Sequence, residues 1–135
     1  MKLARAMLVL AVLAILVAGC GSEEISVPKS SPYYTGAALF LQHCSGCHSL
    51  AVVGAEGSAT SIQNRVRTNG PNFNYRKEKP EQVLYALRNG GFSGAIMPEN
   101  IVVGEQAQEV ANFLAAYSGR EAQKVPSTAI KLSTK

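Results

Sequence analysis

The run Cys44-Ser45-Gly46-Cys47-His48 spaces two thiols three positions apart and follows the second at once with an imidazole. On one turn of helix, two such thiols can each add to a vinyl group on the same edge of one macrocycle. The next residue is then held against one face of the ring, where an imidazole Nε2 can bind iron. The C-x-x-C-H pattern therefore reads as the covalent attachment site of a single c-type haem. Cys44 and Cys47 would form the thioethers, and His48 would be the proximal iron ligand.

C-x-x-C has two other meanings, a redox-active dithiol and half of a zinc site. A thioredoxin-like dithiol needs strands alternating with helices around it, and the flanking sequence offers none. A structural zinc site usually takes four ligands. With Cys20 set aside, His43, Cys44, Cys47 and His48 are the only candidates, and all four fall within six residues. That is too crowded for paired zinc knuckles.

The N-terminus has the layout of an export signal. Lys2 and Arg5 precede an apolar run of 13 residues, Ala6 to Ala18, too short for a typical spanning helix. The run ends in Val17-Ala18-Gly19-Cys20, which resembles the lipobox of bacterial lipoproteins. That resemblance implies cleavage after residue 19 and acylation of Cys20, with several chains giving stable anchoring in a lipid bilayer. An ordinary signal peptide cleaved nearby, or an uncleaved anchor, are the other readings. Cysteine arithmetic favours lipidation, since the third Cys would otherwise be unpaired outside the cell.

Cleavage would leave 116 of the 135 residues and lower the net charge from +4 to +2. Two haem propionates would bring the assembly close to neutral. A basic balance of that size is no argument for nucleic acid, and no aromatic-basic interleaving suggests a stacking platform. Residues 20–32 read as the lipidated Cys and a flexible polar linker, 33–119 as one domain, and 120–135 as a solvated polar tail. The linker's 12 residues after Cys20 could reach about 40 Å.

Within the domain the periodicity is helical. The first helix is expected from Thr35, as N-cap, to His48, burying Ala37, Phe40, Leu41 and Cys44. A second begins at Pro80 and stops at Asn89-Gly90-Gly91. A third runs from about Gly104 to Ser118, with Val110, Phe113, Leu114 and Tyr117 on one face. A weaker helical turn is placed at Ser61 to Arg67, and Ile101-Val102-Val103 is too short to found a sheet. The fold class is all-α, three or four helices around one haem. With no Trp and a small core, the chain without its prosthetic group is expected to be poorly folded.

These pieces resemble a class I monohaem cytochrome c, in a lipoprotein-anchored form, across roughly Tyr33 to Gly119. The resemblance implies an N-terminal helix ending in C-x-x-C-H and crossing a C-terminal helix nearly at right angles. Gly36, Phe40 and Tyr117 match the family's contacts at that crossing, and their other reading is ordinary core. Gly70-Pro71-Asn72 resembles the family's G-P-N loop, which implies that the Pro71 carbonyl accepts a hydrogen bond from His48 and orients it; a simple turn is the alternative.

The distal iron ligand follows by elimination. Met97 is the only Met after the export signal, 49 residues beyond His48 in a Gly-rich loop, and is followed by Pro98 as in the family's distal motif. A lone Met is otherwise gap-filling core. His43 is tied to the attachment helix and cannot readily reach the distal face. Tyr75, Arg76 and Tyr85 are candidates for propionate or haem-edge contacts. Arg65, Arg67, Arg76, Lys77 and Lys79 face one acid, Glu78, in a run that is either a solvated face or a steering surface for an acidic partner.

The expected function is one-electron transfer on the outward-facing side of a bacterial membrane, without catalysis of its own. By resemblance, the partners are a quinol-oxidising complex as donor and a haem–copper terminal oxidase as acceptor. The alternatives are a fixed haem subunit of one such complex, a haem enzyme or gas sensor with an open sixth site, and a zinc-binding lipoprotein.

Overall fold

The computed structural model describes residues 25–92 and 96–121. The expected signal segment, Cys20 and the tail from 122 lie outside those residues.

Helix α1, Tyr34–Cys44, starts one residue before the expected cap. Thr35 is its second residue, not its N-cap. A turn at Ser31 has already set the helical path: Tyr34 N–H bonds to Ser31 O (3.1 Å), and Tyr33 N–H to Ser31 Oγ (3.2 Å). The helix also ends earlier than expected, at Cys44. There Cys47 N–H and His48 N–H both donate to Cys44 O, at 3.1 and 3.0 Å, and close one further turn. Gly36, Ala37, Leu39, Phe40 and Cys44 are buried. The single-turn 3-10 segment Ala51–Val53 also packs on α1, and Leu39 rather than the half-buried Leu41 completes the buried set.

Helix α2, Pro80–Asn89, has the expected limits. Pro80 opens it where a missing N–H costs nothing. Lys79 N–H is met by Gln82 Oε1 at 3.1 Å. Gly90 and Gly91 close it at φ of 67° and 87°, a left-handed backbone that other residues adopt only at a cost. Helix α3, Gly104–Tyr117, buries Ala107, Val110, Ala111, Phe113 and Leu114.

Helices α1 and α3 pack most extensively, with α2 against α3. A Cβ on Gly36 would collide with the Glu109 carbonyl and lie 2.7 Å from Phe113 Cβ, so the bare backbone permits the approach. Phe40 meets Phe113 there, ring centroids 5.9 Å apart. Tyr117, expected opposite Phe40, stands one step away: it packs on Phe113 at 5.3 Å and edge-on to Tyr33 at 5.8 Å. Phe113 precedes it by about one helical turn and takes the crossing point.

A small sheet joins the three helices. Strands β1 (Ser49–Leu50) and β2 (Ala55–Glu56) pair antiparallel, Ser49 with Glu56 and Leu50 with Ala55. Two-residue strands are too short to show alternation in the sequence. Ser49 and Ser58 brace the sheet, each backbone N–H donating to the other's Oγ at 2.9 Å. Ser61 to Arg67 holds isolated turns rather than a helix. Ile101 to Val103 forms no strand, and of these residues Val102 alone is buried.

The segment 25–32, expected within the linker, lies on the domain. Ser26 N–H bonds to Val52 O at 2.8 Å, and Val27 is a core residue at 2 % exposure. At the other end, Glu121 N–H bonds to Asn74 O at 2.9 Å, and Arg120 lies over the Tyr117 ring at 3.9 Å.

Candidate functional site

The end of α1 leaves Cys44 buried, Cys47 half-buried and His48 just beyond them. Two segments clamp this turn. Gly57 N–H donates to His48 O (3.1 Å), and Gly70 N–H to Cys47 O (2.6 Å). Burial pushes the Cys44 thiol up to about 12, reinforced by neighbouring Cys47, so the thiol is neutral at physiological pH.

His48 is held on three sides. Its Nδ1 lies 3.0 Å from the Pro71 carbonyl. A carbonyl only accepts, so Nδ1 carries the proton and Nε2 is left as a free donor atom. Phe73 stacks on the ring with centroids 4.7 Å apart and planes 13° from parallel. Gly70 lies against the ring too closely for a Cβ, which would fall 2.6 Å from Nδ1 and 2.7 Å from Nε2. Burial lowers the imidazole pKa below its ordinary value; the Pro71 bond opposes this and Arg76 adds to it. The neutral form, which metal binding requires, is thereby favoured.

The strap from Gly70 to Asn74 is fixed to the sheet. Phe73 N–H bonds to Ser49 O (2.9 Å), and Ala51 N–H to Asn74 Oδ1 (2.7 Å). Asn72 Oδ1 accepts from Asn74 N–H (3.0 Å) and closes a local turn. Position Pro71 thus depends on Ser49, immediately after the histidine it faces.

Cys44, Cys47, His48 and Met97 all line one cavity of about 800 Å³. Phe40, Phe73, Val83, Leu87, Val110 and Leu114 supply most of its apolar wall. Met97 is half-buried against the core, and its carbonyl would lie 2.8 Å from a Cβ on Gly90. The donor set fits a covalent haem: two thiols, a neutral imidazole with Nε2 free, and a thioether, in an apolar cavity of prosthetic-group size.

Of the three candidates for the haem edge, Arg76 lines the cavity, whereas Tyr75 and Tyr85 are not among its lining residues. Tyr85 instead stacks on Phe92 at 5.3 Å on the surface. The basic run also divides. Arg65, Arg67 and Arg76 line the cavity, while Lys77 donates through Nζ to Ala115 O near the end of α3.

Two residues of the site were not legible in advance. Phe73 follows Gly70-Pro71-Asn72 directly, and an aromatic at that place is the signal that could have found it. Glu78 counted only as the one acid in a basic run, yet it is 4 % exposed and lines the cavity. Nothing local marks that burial, because it comes from Ser118 at the end of α3, whose Oγ accepts Glu78 N–H at 2.9 Å.

The family model for cytochrome c oxidase, cbb3-type, subunit III matches residues 32–114. No curated protein matches the chain.

Proposed function

The chain belongs to the cytochrome c oxidase, cbb3-type, subunit III family, and we propose that it is a membrane-tethered one-electron carrier with a single His/Met-ligated haem c. Membership of a cytochrome c family makes it a haem-binding electron-transfer protein; the ligands, the tether and the partners are the proposal. The observation that carries it is the convergence of Cys44, Cys47, His48 and Met97 on one apolar cavity.

When bound, haem supplies a reversible one-electron couple at its iron. The chain's residues do the rest. Cys44 and Cys47 would hold the group covalently, so that it would not be lost on cycling. His48 would offer Nε2 to the iron, and the Pro71 carbonyl keeps Nδ1 protonated and the ring oriented. Met97 would offer its thioether as the second protein ligand, which would raise the potential relative to a second imidazole and leave no open site for substrate. Phe40, Phe73, Val110 and Leu114 exclude water around it.

Among the described residues no helix is long and apolar enough to cross a membrane. Anchoring is assigned to acylated Cys20, on the extracytoplasmic face of a bacterial membrane. A quinol-oxidising complex is proposed as donor and a terminal oxidase as acceptor. Arg65, Arg67 and Arg76 at the cavity would favour an acidic partner surface. The family's description as an oxidase subunit favours a second reading, a fixed rather than shuttling component. Co-purification of the full chain with a terminal oxidase after mild detergent extraction decides between them.

The test of the carrier is the optical spectrum of a soluble form starting after Cys20, produced with haem-maturation machinery. Covalent low-spin haem with a weak far-red ferric band that disappears in Met97→Ala is the expected result. A high-spin spectrum and prompt carbon monoxide binding would point to an enzyme or sensor. Absence of haem would end both readings.

A further inference from the structure

Glu78 is a carboxylate in the wrong place for a surface residue. It is 4 % exposed and is the only carboxylate among the described residues lining the cavity. Its backbone is fixed at both ends. The N–H is bonded to Ser118 Oγ at 2.9 Å, and the next residue, Lys79, caps α2. The side chain is therefore not free to swing into bulk water.

Its carboxylate is incompletely satisfied. Oε1 lies 2.6 Å from Arg76 Nε, but it is buried and has no well-aligned hydrogen bond. Arg76 is half exposed at 46 %, with its guanidinium 6.0 Å from the Phe92 ring. The pair thus runs from the cavity wall to the solvent. Such a carboxylate sits between two opposed influences. Burial disfavours its charge, while Arg76 and the N-terminus of α2 favour it. A third influence in the same cavity, a centre whose charge changes by one unit, then decides its protonation.

We propose that Glu78 couples proton transfer to electron transfer in this protein, binding one proton when the bound haem is reduced and releasing it on oxidation. The step balances as follows. One electron arrives from the redox donor and reduces ferric to ferrous iron. One proton passes from solvent to the Glu78 carboxylate and forms the O–H bond of the neutral acid. The cavity's net charge is unchanged. Reoxidation by the acceptor returns the proton to solvent. Burial holds the Glu78 carboxyl above the ordinary carboxylate range, with Arg76 pulling it back, which is the direction the coupling requires.

Of the other ionisable groups around the cavity, most do not substitute for it. Arg65, Arg67 and Arg76 stay charged throughout. His48 is the proposed iron ligand, whereas His43 also lines the cavity and competes with Glu78 as a proton acceptor. Lys77 is bonded to Ala115 O, and Lys79 is exposed at the start of α2. Helix α2 presents Gln82 to the cavity, and α3 presents Val110 and Leu114, none of them ionisable. His43 and the haem propionates are the competing titratable groups, and the experiment must separate them from Glu78.

The inference rests on the haem-carrier reading, and the measurement is the reduction potential of the holoprotein against pH, by optical redox titration. The potential is expected to fall as pH rises through a sloping window. A tenfold difference in proton affinity between the two redox states corresponds to about 59 mV across that window. In Glu78→Gln, which keeps shape but cannot ionise, the slope is expected to be lost. A slope unchanged in Glu78→Gln, or a flat wild-type curve, overturns the proposal and leaves the carrier reading intact. A protein without haem overturns both. Should the variant not fold, redox-difference infrared spectra of the wild-type holoprotein with ¹³C-labelled glutamate decide. A carbonyl band of a protonated acid that appears on reduction and shifts with the label comes from a glutamate, and Glu78 is the one buried glutamate among the described residues. A band that does not shift belongs to a propionate and refutes the assignment.

Discussion

The imidazole of His48 lies parallel to the ring of Phe73, 4.7 Å between centroids, while its Nδ1 faces the Pro71 carbonyl at 3.0 Å. Two constraints of different chemistry thus hold one ring. The stack fixes its plane, and the hydrogen bond fixes its rotation within that plane and its tautomer. Replacing Phe73 by Leu keeps an apolar wall but removes the stack. The expected loss is about 1–2 kcal/mol in stability. Guanidinium denaturation of the holoprotein measures it.

Gly70 and Gly46 should respond oppositely to the same substitution. A Cβ on Gly70 meets the His48 ring, whereas a Cβ on Gly46 meets nothing within 4 Å. Gly70→Ala is expected to displace the ring or the strap and to cost roughly 1–3 kcal/mol or more. Gly46→Ala, inside the attachment motif itself, is expected to fall within about 1 kcal/mol of wild type. The yield of covalent haem per polypeptide, measured for both, separates a steric effect from general intolerance of the motif.

Gly36 makes the same argument for the helix crossing. Its Cβ would strike the Glu109 carbonyl, a backbone atom that cannot rotate away. Gly36→Ala should therefore force α1 and α3 apart and destabilise by about 1–3 kcal/mol. Phe113→Ala, which empties the same crossing, should cost about 3–5 kcal/mol. The double variant is expected to lose close to the sum, because the Glu109 carbonyl and the Cβ at position 113 still meet the added methyl once the Phe113 ring is gone. Chemical denaturation of the four proteins forms the cycle.

Rising pH should weaken the fold through Glu78. Its pKa is raised, so its contribution is fully favourable below the ordinary carboxylate range and is lost as pH rises through the raised value. Glu78→Gln is accordingly expected to be more stable than wild type at neutral pH, with the difference shrinking in acid. Denaturation midpoints of the two proteins between pH 4 and 8 test the sign.

The parts legible in the sequence were those whose cause is local. Cys44, Cys47 and His48 stand out by their spacing and do meet at one cavity, and Pro80 with Gly90 marks α2 at both ends because each acts through its own backbone. Met97, the one Met beyond residue 7, stands out in the sequence and lies at the same cavity. Illegible parts depend on contacts made across the chain. Thr35 looked like a cap, but a turn at Ser31 had already begun the helix. Tyr117 looked like the partner of Phe40, but the register of α3 on Gly36 brings Phe113 there instead. Glu78 looked solvated in a basic run, until Ser118, 40 residues later, pins it inward.

The burial of Val27 bears on how far the molecule can travel. If Cys20 is acylated as proposed, residues 21–25 are all that would separate the bilayer from Ser26, whose N–H is bonded to the domain. Five residues reach at most about 18 Å. The protein would then be on a short leash. It could diffuse sideways and roll about its attachment, but it could not rise to meet a partner whose electron port stands far above the lipid. Which complexes it serves becomes a matter of altitude as much as of charge.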